Sequence, residues 1–100
     1  MYADNINHIL EAARKCNDTL DQLLSHRDEE ATGDTLKVRT MLIKQVIMEV
    51  DNSMSSMHDI LDSMELVGDN KNHTELDTLV RAIEDKTNTL IEYMRSLGQY

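Results

Sequence analysis

Apolar residues recur at alternating steps of three and four along nearly the whole chain, and no proline interrupts them. That spacing keeps side chains on one face of an α-helix, whereas one face of a strand is lined by every second residue. A helix with one apolar face must bury it against another element, so a chain patterned this way is committed to helix-on-helix packing.

Three such runs are present. In the first, about residues 2–25, Tyr2, Ile6, Ile9, Ala13, Cys16, Leu20 and Leu23 hold a heptad register, and Leu10 and Leu24 widen the stripe. Glu11, Arg14, Lys15, Asp18 and Asp21 occupy the opposite face. The second run, about 34–67, carries Leu36, Ile43, Ile47, Val50, Met54, Met57, Leu61 and Met64, with Thr40 in the missing heptad place and Val46 and Ile60 alongside. Asp51 to Ser56 is its weak point, because Asp, Asn and Ser side chains compete for backbone hydrogen bonds. The stripe nevertheless keeps its phase from Val50 through Met54 to Met57, which predicts a continuous helix. The third run, about 73–97, carries Leu76, Val80, Ile83, Leu90, Met94 and Leu97, with Leu79 and Ile91 beside them and Thr87 as the polar member.

Polar linkers separate the runs. Gly33 and Gly68 fall between them and Gly98 just past the last, where a residue tolerant of positive φ is favoured. Thr32 or Asp34 offers a cap for the second helix, and Asn72 with Glu75, or Thr74 with Asp77, for the third. Short linkers make successive helices antiparallel. The expected fold is therefore all-α: one domain over 1–100, an up-down-up three-helix antiparallel bundle with a long middle helix and coiled-coil-like packing. The broad apolar face of the second helix suits one that touches two neighbours at once. Its partners are shorter by about two turns, which would leave its ends uncovered and makes a homodimer the expectation. A compact monomer with a kinked middle helix is the alternative.

Composition narrows the function classes. A net charge of −9 opposes direct binding to a nucleic-acid backbone or an anionic membrane surface, both of which call for clustered Lys and Arg. No apolar run approaches the length of a bilayer span; the nearest, Met41 to Val50, is broken by Lys44, Gln45 and Glu49. The first residues lack a basic segment followed by an apolar stretch, so no secretory leader is expected. Cys16 is the lone cysteine, which fits a reducing, cytoplasmic setting.

The chain offers little chemistry. His58-Asp59 resembles the doublet of helical metal phosphohydrolases, but no matching upstream His accompanies it, and a metal needs two or three convergent ligands. Glu29-Glu30 has no Glu three residues on, and Asp59-x-x-Asp62 has no companion set for Mg²⁺. An enzyme would need Asp59, Asp62 and a carboxylate from a neighbouring helix to converge. Cys16 sits on the core stripe and reads as a small buried hydrophobe. No Gly-rich phosphate loop or nucleophile elbow is present, so no cofactor and no catalytic residue is expected. In length and hairpin pattern the chain is similar to the small secreted WXG-type proteins, but it has no Trp, and the resemblance is one of size only.

What remains is protein binding. Met41, Met48 and Leu66 fall nearly opposite the main stripe of the second helix, either as scattered surface residues or as a Met-bearing patch. Arg39 lies near the stripe, where its stem can pack while its guanidinium reaches Asp28, Glu29 or Glu30, or where it can anchor an interface. The candidate interface set is Arg39, Met41, Met48, Val50, Met54, Met57 and Leu61. The expected function is a non-enzymatic helical interaction module, an adaptor or chaperone-like subunit acting on a protein partner through apolar stripes. The alternative is a small acidic inhibitor, phage- or mobile-element-encoded, that blocks a basic or nucleic-acid-binding surface of its target.

Overall fold

The computed structural model describes residues 2–27, 29 and 32–98, with residues 2 and 3 described in backbone only. Three helices account for nearly all of them: α1 (Tyr2–His26), α2 (Gly33–Leu66) and α3 (Asn70–Ser96). The all-α bundle expected from the stripes is the observed fold. It is elongated, 50 × 20 × 18 Å, as the 34 residues of α2 require at 1.5 Å per residue.

α2 runs unbroken through Asp51–Ser56. Ser53 Oγ donates back to the carbonyls of Glu49 (2.9 Å) and Val50 (3.2 Å), so its hydroxyl adds to the helix instead of competing with it. At the other end, Gly68 takes φ +74°. Its N–H donates to the Glu65 carbonyl (3.2 Å), while Asp69 N–H reaches the Met64 carbonyl (2.9 Å). This is the Schellman closure, in which a left-handed residue lets the last orphan carbonyls find donors.

Asp69 has a second role, and it corrects the sequence reading of α3. Its carboxylate accepts from the Asn72 backbone N–H (3.3 Å) and from Asn72 Nδ2 (2.8 Å), which makes Asp69 the N-cap. α3 therefore starts at Asn70, ahead of the expected cap positions, and Asn72 and Thr74 lie inside it. Thr74 Oγ1 donates to the Asn70 carbonyl (2.8 Å). The cap was misplaced because one residue both closes α2 and opens α3. At α2, Thr32 occupies the N-cap position in extended conformation but makes no side-chain cap bond.

One buried cluster draws on all three helices. Leu20 of α1, Ile43 and Met64 of α2, and Leu76, Ile83, Leu90 and Met94 of α3 are completely enclosed. The two polar stripe residues are buried and satisfied: Thr40 Oγ1 donates to the Lys37 carbonyl (2.9 Å) and Thr87 Oγ1 to the Ile83 carbonyl (2.7 Å). The stripe of α1 is buried or half-buried from Ile6 to Leu24; the side chain of Tyr2 lies outside the described residues.

The arrangement of the helices differs from expectation in one respect. The helix with two neighbours is α3, not α2: α3 packs along both α1 and α2, whereas those two scarcely meet. Polar pairs trace the directions. Arg14 pairs with Glu75, and Lys86 Nζ reaches Asn17 (2.6 Å) and Asp21 (2.7 Å), so α1 and α3 run parallel. His58 Nε2 contacts Glu84 Oε1 at 3.0 Å, and Val50 and Met54, earlier on α2, line one depression with Thr87 and Ile91, later on α3, so α2 and α3 run antiparallel. The cause is the tight Val67–Asp69 turn. It presses α3 onto α2, where Ile91 borders Val50 and Met54, and Leu79 and Tyr93 widen the apolar face on the other flank, shared with Glu75 and Lys86, which takes α1.

With α3 as the shared support, truncating its centre should cost more than truncating the start of α2. Ile83→Ala should lose about 2–5 kcal/mol in urea unfolding. Leu36→Ala, at a half-buried position, should lose less than about 2 kcal/mol. Equal losses at the two sites would contradict the assignment.

Candidate protein-interaction site

Because α1 and α2 both lean on α3 and not on each other, a groove runs between them on the side away from α3. Ala12, Cys16 and Thr19 form one wall, and Val46, Val50 and Met57 the other, with Lys15, Glu49 and Ser53 completing the lining. It encloses about 380 Å³, within the range of pockets that hold small ligands, and α3 contributes none of its lining. Cys16, Val46, Val50 and Met57 are members or flanks of the two core stripes, and Lys15, expected on the opposite face of α1, borders the groove as well.

The hydroxyls of the groove are already committed, and the Glu49 carboxylate is left as its acidic group. Thr19 Oγ1 donates to the Lys15 carbonyl (2.9 Å), Ser53 Oγ is bonded within α2 as described, and Lys15 Nζ lies 3.5 Å from Glu11. An occupant therefore meets methyl and methylene groups more than unsatisfied donors. Burial, and secondarily the negative charge of Glu49, push the Cys16 thiol above its ordinary pKa. At neutral pH it is a protonated, weakly polar lining group and a poor nucleophile.

The positions singled out in the sequence separate into distinct environments. Val50, Met57 and Leu61 are buried in the bundle and Met54 is half-buried, so most of their surface is spent on internal packing; Val50 and Met57 also floor the groove. Arg39 is 13% exposed, and its Nη1 donates to the Glu29 carbonyl at 2.8 Å, with Nη2 at 3.9 Å from the Glu29 carboxylate. Of the acidic partners anticipated for it, Glu29 is the one engaged, and Asp28 and Glu30 lie outside the described residues. His26 Nδ1 also meets Glu29 at 2.8 Å and, more than Arg39, holds that carboxyl below its ordinary pKa. Arg39 thus ties the linker to α2.

Met41 and Met48 are 62% and 64% exposed, and Val38 and Leu42 stand beside them equally bare. Neither Val38 nor Leu42 was singled out in the sequence. The signal for them was spacing: Val38 lies three residues before Met41 and four before Leu42, a second stripe hidden beside a stronger one.

His58 turns away from Asp59 to Glu84 on α3. Among the described residues no group of three or more His, Cys, Asp or Glu side chains converges as a metal site, and no helix is long and apolar enough to cross a membrane. Comparison of the chain with protein-family models, curated proteins and solved structures finds no match.

The groove environment of Cys16 has a chemical consequence. Its alkylation by iodoacetamide at neutral pH should be slower than that of a free cysteine peptide, with a rate that keeps rising beyond the ordinary thiol range. Glu49→Gln should shift that profile to lower pH. Labelling at the free-cysteine rate near neutrality would show that the α1–α2 groove is not formed as described.

Proposed function

We propose that the chain is a non-enzymatic, cytoplasmic protein-interaction module that takes an amphipathic helix of a client protein into the groove between α1 and α2. The observation that carries this reading is the open line between those helices, walled by core-stripe residues and backed by α3. A helix seated there would contact α1 and α2 as α3 does and complete a four-helix arrangement. Its apolar face would finish the burial of Cys16, Val46 and Met57, at roughly 25 cal/mol per Å² of apolar surface removed from water. The committed hydroxyls of Thr19 and Ser53 support an apolar occupant over a polar small molecule. The free thiol of Cys16 fits a reducing compartment.

This reading makes binding depend on the groove and only weakly on salt. A photo-crosslinking residue in place of Thr19, on the groove wall, should link the client through an amphipathic helical segment. Val46→Glu should weaken capture by about tenfold or more while leaving far-UV circular dichroism unchanged. Capture indifferent to Val46→Glu, yet abolished by high salt, would contradict it and point to the acidic surface, as an inhibitor of a basic target would use it.

A further inference from the structure

The outer face of α2 carries a second apolar line that the bundle does not use. Val38, Met41, Leu42 and Met48 are each at least half exposed, and Gln45 completes the alternation of three and four between Val38 and Met48. A regular seam of this kind is what pairs helices in coiled coils. The line ends at Met48: the following positions on the same face are Asn52, Ser55, Asp59 and Asp62.

The charges around this line show what covers it. Up to Met48, α2 carries Lys37, Arg39 and Lys44 against the single Asp34. From Glu49 on it carries Glu49, Asp51, Asp59, Asp62 and Glu65 with no Lys or Arg. Elsewhere in the chain Arg14, Lys15, Arg39, Arg81 and Lys86 each meet a carboxylate. No ion pair among the described residues includes Lys37, Lys44, Glu49 or Asp51. Lys44 has no acidic neighbour three or four positions away on its own helix: Thr40, Met41, Ile47 and Met48 stand there.

We infer that this face pairs with the same face of a second copy, with the two α2 helices antiparallel about a two-fold axis near Ile43. In that register Val38 of one copy packs against Met48 of the second, and Met41 against Gln45, so the whole apolar line is used on both sides. Lys37 meets Asp51 of the second copy, twice by symmetry. The basic half of each α2 lies towards the acidic half of the other, and the Asp59–Asp62 ends overhang in opposite directions. A parallel pair would set five carboxylates of one copy beside the same five of the other. The surface is self-complementary, as an isologous contact must be. Lys44 is its one unfavourable element, since it faces Lys44 of the second copy across the axis. The inference is independent of the α1–α2 groove, because Val38, Met48, Lys37 and Asp51 do not line it.

The interface is small, below the ~1,200 Å² of standard complexes, so self-association is expected at ~100 µM protein. Light scattering coupled to size exclusion should give a dimer mass there and a monomer mass for Met41→Asp. Lys37→Glu should weaken the dimer about tenfold, Asp51→Lys added to it should restore the affinity, and Lys44→Leu should tighten it. Orientation is read by oxidation in a Cys16→Ser background. Val38→Cys with Met48→Cys should give a disulfide-linked dimer, and Met48→Cys alone should not, because Met48 faces Val38 of the second copy. A monomer mass throughout, an unrestored charge swap, or ready crosslinking by Met48→Cys alone would each overturn the proposal.

Discussion

The packing of α3 against both other helices is the interaction on which the rest of the molecule depends. Its stripe from Leu76 to Met94 is almost wholly enclosed, and among the described residues neither α1 nor α2 has another extended partner. The hydrophobic effect rewards area removed from water without regard to direction. Direction is supplied by the turn. By serving as both the closing residue of α2 and the cap of α3, Asp69 leaves almost no slack between them, so antiparallel contact of those two helices is obligatory. α1 is placed by the remaining apolar flank of α3 and by polar pairs at Glu75 and Lys86.

The surface follows from that arrangement. A helix on each of two flanks of α3 leaves α1 and α2 facing one another across an open line, and the stripe residues on that line are left partly uncovered by the described residues. α2, being longest and placed at one side of the bundle, also presents a free outer face. Both surfaces are largely apolar and both are carried on helices of the bundle.

Much of this was legible in the sequence. Three stripes in unbroken phase predicted three helices, the continuity of α2 through Asp51–Ser56, and nearly every buried side chain, because heptad spacing reports directly on which face meets the core. Which helix sits between the other two was not legible. α2 has the longest stripe and α3 one of ordinary length, and only the tight turn at Gly68–Asp69, with Leu79 and Tyr93 on one flank of α3 and Ile91 on the other, decides the matter. The α3 cap was obscured because Asp69 reads as linker until the hydrogen bonds of both helix ends are followed together. The candidate surface was partly legible. Met41 and Met48 stood out as misplaced apolar residues, whereas Val50, Met57 and Leu61, named with them, are buried in the fold, Val50 and Met57 also lining the groove. A core stripe and a binding stripe share one pattern, and only three-dimensional contact separates them.

Native-state amide hydrogen exchange tests the central role of α3 most directly, because it ranks the helices by the free energy needed to open each backbone hydrogen bond. If α3 is the support shared by α1 and α2, the slowest-exchanging amides lie between Leu76 and Met94 and exchange only by global unfolding. Those of α1, and of the first turns of α2, should then open at lower free energy. Slowest exchange centred on α2, with α3 opening ahead of it, would contradict the account.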